Sequence, residues 1–175
     1  MMSKAVLASV ALASALLVFP SLASALTAEE TFLYIAFDMQ DGDVKPYEGW
    51  QTTVTNLAAE PFTVEVAQSN GETARYIIEQ SPACVFNVKM DLGAEGTIAV
   101  RFDMTKFVGI NPFPLERPKG NLEFANECAI QVVENGRCLA KDFRPDRTST
   151  GNMDTIRRLK AVKFFKTEFC AGLPF

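Results

Sequence analysis

The chain contains no histidine, and that absence limits the chemistry its other residues can perform. Ser-His-Asp and Cys-His nucleophilic sites need an imidazole to take the proton, and the H-E-x-x-H zinc motif needs two of them as ligands. No ordinary base titrating near neutral pH is left. What remains is the chemistry of 21 carboxylates, of lysine and tyrosine, and of four cysteines. Asp38, Asp41, Asp43 and Glu48 gather around Gly42 in the manner of a calcium loop, but that alignment would put Phe37 at the first ligand position. They read as a solvated helix end, and neither a metal nor any other cofactor is expected. A glycoside-cleaving site would need two carboxylates about 5 to 10 Å apart, and spacing alone selects no pair. No residue is assigned a catalytic role.

Cys84, Cys128, Cys138 and Cys170 include no C-x-x-C pair that would suggest thiol redox chemistry or zinc. Two disulfides are expected, with three ways of pairing them. Asn135-Gly136 reads as a two-residue hairpin turn, which sets Cys138 opposite Val133 and Cys128 opposite Phe143. Those pairs fall on opposite faces of a sheet, so a Cys128 to Cys138 bridge is disfavoured provided the strand extends that far. Elimination then favours Cys138 with Cys170 and Cys84 with Cys128.

Three groups of side chains could form a binding surface. Tyr47 and Trp50 bracket Glu48 and could offer an aromatic platform to a sugar or a peptide. Phe107, Ile110 and Phe113 lie in a proline-rich stretch that excludes a central strand and could meet a partner. Arg157, Arg158, Lys160, Lys163 and Lys166 stud a C-terminal helix, and they are the residue types of a segment that lies on anionic lipid. Each group also has an ordinary reading: core packing, a loop folded over the sheet, and the wet side of a surface helix.

These residues need elements to position them. Thr27 and Glu30 have the spacing of a capping box, and Phe32, Ile35, Ala36 and Met39 repeat at helical intervals, so a helix is predicted to about Gln40, where Asp41-Gly42 stops it. From Trp50 the apolar period becomes two. Phe62, Val64 and Val66 lead through Asn70-Gly71 to Ala74, Tyr76 and Ile78, and Cys84 to Met90 and Ile98 to Phe102 form a further pair. Strands joined by such short turns pair antiparallel. A long loop is predicted between Lys106 and Asn121, then strands at Ala129 to Val133 and Cys138 to Phe143. A basic amphipathic helix follows, with Ile156, Leu159, Val162, Phe165 and Phe169 facing the protein. The fold class is α+β: an N-terminal helix, an antiparallel sheet of about seven strands, a C-terminal amphipathic helix and two disulfides.

Residues 1–25 read as a cleaved signal peptide, with Lys4, an apolar run from Ala5 to Phe19, Pro20, and the small-residue end Ala23-Ser24-Ala25. That run is short for a membrane-spanning helix, which needs about 20 residues. Residues 26–175 are expected to form one globular domain, exported to a periplasmic or extracellular compartment where disulfides persist. Its charge is uneven: residues 26–136 hold 7 basic and 17 acidic side chains, and residues 137–170 hold 9 and 4. Export and an acidic body argue against nucleic acid as a partner; a protein, an envelope component or a membrane surface stay open. The leading expectation is a non-catalytic exported binding protein. Two alternatives are a carboxylate-dependent hydrolase of envelope polysaccharide, and an envelope factor that touches anionic membrane through its basic helix.

Overall fold

A computed structural model of the chain describes residues 26–47, 49–81, 84–111, 121–125, 128–139, 142–143 and 155–171. The predicted signal segment, Glu48 and Phe113 lie outside these residues, and Tyr47 is described by its backbone only.

Thr27 opens the first helix, α1 (Ala28–Phe37), through a reciprocal pair of hydrogen bonds. Its backbone N–H donates to Glu30 Oε2 at 2.8 Å, and Glu30 N–H donates to Thr27 Oγ1 at 3.2 Å. The helix ends three residues before the predicted Gln40. Asp38 takes a left-handed backbone, φ 55°, and its N–H returns to the Tyr34 carbonyl. Lys45 fixes that turn by donating to both the backbone oxygen and the carboxylate of Asp38. Every residue from Thr31 to Met39 is buried, so little of the helix beyond its first turn meets solvent.

The strands are β1 (Val44–Tyr47), β2 (Trp50–Ala59), β3 (Phe62–Gln68), β4 (Thr73–Ser81), β5 (Val85–Asp91), β6 (Thr97–Asp103), β7 (Phe107–Asn111), β8 (Asn121–Phe124), β9 (Ile130–Val132) and β10 (Asp142–Phe143). An antiparallel sheet of seven strands runs in the order β1-β2-β3-β4-β5-β6-β9, six of them a simple meander. Alternation sets one face inward: Phe62, Val64, Tyr76, Ile78, Phe86, Val88, Val100 and Phe102 form the floor on which α1 lies. Phe32 stacks on Phe86 at 4.4 Å between ring centroids and meets Phe102 edge-on at 5.3 Å. The turn at Asn70-Gly71 is one residue longer than predicted, because Ala67 pairs with Thr73 and Gln68 N–H bonds the Glu72 carbonyl.

A second sheet, in the order β10-β8-β7, corrects the expected loop. The ends of that stretch pair with each other, Ile110 with Leu122 and Phe107 with Phe124. Pro112, Pro114 and Pro118 fall in sequence between the paired segments and outside the described residues, so none of them belongs to the ladder of β7 and β8. Phe107 and Ile110 are therefore core residues, buried with Leu122 and Phe124, and not a partner-binding surface.

The disulfides also differ from expectation. Cys84 pairs with Cys170 and Cys128 with Cys138. Asn135-Gly136 sits inside a longer turn, closed by Val132 N–H to Arg137 O and Gly136 N–H to Val132 O, and it is Gln131 that faces Cys138. β9 begins only at Ile130. Cys128 precedes the strand, where face alternation no longer applies, and it can reach Cys138 with a Cα separation of 4.6 Å.

The second helix, α2 (Thr155–Glu168), packs against α1 and also reaches the sheet, where the Phe165 ring lies 5.7 Å from that of Phe86. Its inward stripe is Arg158, Val162, Phe165 and Phe169, spaced four, three and four residues apart. This revises the predicted amphipathic face. Ile156 and Leu159 point away from the protein, 70% and 48% exposed, while Arg158 is fully buried. The Cys84–Cys170 bond ties the end of α2 to the start of β5. No helix among the described residues is long and apolar enough to cross a membrane. The two disulfides are compatible with export to an oxidising compartment.

Candidate functional site

Where α2 lies across α1, the two helices leave an open groove of about 270 Å³. Tyr34 from α1 and Ala161 and Phe164 from α2 give it apolar walls, and Leu26 lies at its N-terminal margin. Arg157 and Lys160 stand on the α2 side, with Gln40 close by and Glu30 across from them. Helical spacing produces this arrangement. Lys160 and Ala161 lie three and four residues after Arg157, and Phe164 lies four and three after them, so one edge of α2 presents both cations and a ring.

Arg157 is already held in place. Its guanidinium lies 5.4 Å above the Tyr34 ring, and Nη2 donates to Gln40 Oε1 at 2.8 Å. Phe164 is 39% exposed and meets Phe169 edge-on at 5.5 Å, which fixes the ring at the groove's edge. The groove thus pairs an apolar wall with fixed positive charge. That combination suits a ligand with an apolar body and an anionic head.

Beneath the groove, Arg158 donates from Nε and Nη2 to the Ile35 carbonyl, which the end of α1 leaves without a helical partner. Burial pulls its pKa down to about 10, against which the negative charge of Asp38, and of Tyr34 once its phenol ionises, acts to keep the proton on. Arg158 was expected on the basic outer side of the helix; it works instead as a clamp between the helices.

The remaining predicted residues are dispersed. Trp50 is about half exposed and pairs in register with Tyr47 at the far end of the β1–β2 hairpin. Lys166 reaches back over the Phe107 ring at 5.5 Å, and its burial lowers its pKa from the usual lysine value. Lys163 is exposed on the outer side of α2. Asp38 and Asp43 do come together, each about 3 Å from Lys45 Nζ. The shared ammonium offsets part of their charge, and Asp43 also accepts from Gln40 N–H, so the pair organises the turn after α1. Among the described residues no cluster of three or more acidic or cysteine side chains is placed to hold a metal ion. Tyr34, Phe164 and Gln40 were not anticipated as site residues, because only the crossing of two helices distant in sequence brings them together.

Comparison with known protein families, with curated proteins and with solved structures gives no match.

Proposed function

We propose that the protein is an exported, non-catalytic binding protein that holds a small amphipathic anion in the groove between α1 and α2. The observation that carries this reading is the joint presence of an aromatic wall, Tyr34 and Phe164, and a fixed cation, Arg157, on one accessible groove. A chain without histidine lacks the usual means of turning a bound ester or peptide over, which favours retention of a ligand over reaction with it. Export is supported by the form of residues 1–25 and by two disulfides.

Fluorescence titration with anilinonaphthalene sulfonate, an amphipathic anion, tests the reading, with uncharged phenylnaphthylamine as the comparison. Saturable binding of the anion is expected, and Arg157→Gln should weaken it by about tenfold through loss of a charge-assisted contact. Phe164→Ser should weaken both probes. Equal binding of the two probes, or binding that neither substitution changes, would contradict the assignment.

A further inference from the structure

We infer that the outward side of α2 docks on an anionic lipid surface. A helix that only covers a core buries its aliphatic residues and exposes its charges. In α2 the stripe against the core is Arg158, Val162, Phe165 and Phe169, and the opposite side carries Ile156 and Leu159 exposed beside Lys160 and Lys163. Neither Lys160 nor Lys163 is engaged in an ion pair among the described residues. The helix is about 21 Å long, so these side chains can reach one flat surface together.

Charge decides the class of partner and its orientation. α2 contains five basic residues and one acidic residue, whereas residues 26–136 contain 7 basic and 17 acidic. An anionic bilayer would repel the acidic body and attract this one side of the molecule. A polyanion such as a nucleic acid would satisfy the lysines but offer nothing to Ile156 and Leu159. The boundary between headgroups and acyl chains accommodates both kinds of side chain.

Ile156, Leu159 and Lys163 do not line the groove, so the inference does not depend on a groove ligand. The experiment is flotation of the protein, in the form the cell leaves it and with its N-terminus defined by intact mass, with phosphatidylglycerol-containing vesicles and with pure phosphatidylcholine vesicles. Binding to the anionic vesicles alone is expected, with release in high salt. Lys163→Glu should lower the bound fraction by about tenfold, and Ile156→Ser with Leu159→Ser by a similar factor. These residues are exposed, so the variants should keep the wild-type circular dichroism and anilinonaphthalene sulfonate titration. Failure to float with anionic vesicles, equal flotation with phosphatidylcholine, or flotation indifferent to these substitutions would each overturn the inference.

Discussion

Arg158 is the residue whose role differs most from its type. Its side chain is buried on the same helical stripe as Val162 and Phe165, and its guanidinium satisfies a carbonyl at the end of α1. Arg158→Ala removes packing and leaves that buried carbonyl unpaired, so a loss of about 3 kcal/mol is expected in urea denaturation. Arg158→Met keeps the stem's volume and removes the cost of burying a charge, so its loss should be nearer about 1 kcal/mol. The pH dependence has a definite sign. With the folded pKa pulled down to about 10, the burial cost is fully in place below that value and is relieved only as pH rises past it. Arg158 therefore adds no slope to stability between pH 5 and 9. The pattern at Arg158, Val162, Phe165 and Phe169 was present in the sequence as a regular helical stripe; the charge of its first member concealed it. The groove residues Tyr34 and Phe164 carried no such signal, since nothing local joins positions 130 apart.

At the scale of elements, α1 could be read from its cap and its apolar repeat, and the meander from its period of two. Thr27→Ala should remove the reciprocal cap and cost about 1 kcal/mol of stability in the same denaturation assay. β7 and β8 were harder to read, because the prolines between them suggest an irregular segment and the pairing that makes strands of the flanks is not local. The two disulfides differ in what they hold. Cys84–Cys170 is buried and closes 86 residues, worth about 4.6 kcal/mol in the chain-entropy estimate; Cys128–Cys138 is exposed and closes 10, worth about 2.7 kcal/mol. Replacing the first pair with serine should accordingly destabilise by about 2 kcal/mol more than replacing the second. Mild reductant followed by alkylation and peptide mass mapping should label Cys128 and Cys138 first.

Across the whole molecule, one hydrophobic cluster runs through α1, the seven-stranded sheet, β7, β8 and α2. Shared packing of this kind predicts one cooperative transition, so thermal melts followed by far-ultraviolet and near-ultraviolet circular dichroism should coincide. Separate midpoints would show that the smaller sheet melts by itself. The α+β class followed from periodicity alone. The placement of α2 against both α1 and the sheet did not, because it depends on contacts between segments distant in sequence.

The disulfide pairing has a consequence for the history of each molecule. Synthesis delivers Cys84 first and Cys170 last, with Cys128 and Cys138 between them, so the native bonds are nested: the outer two cysteines must find each other around the inner two. A newly made Cys84 meets two wrong partners before its right one exists. Oxidation that outruns translation would trap Cys84 with Cys128 or Cys138, and escape from that state takes thiol exchange over seconds to hours. Any early bond of Cys84 to an inner cysteine has to be exchanged before the native pairing is reached, so oxidative refolding of the reduced chain should reach that pairing faster with disulfide isomerase added than without it.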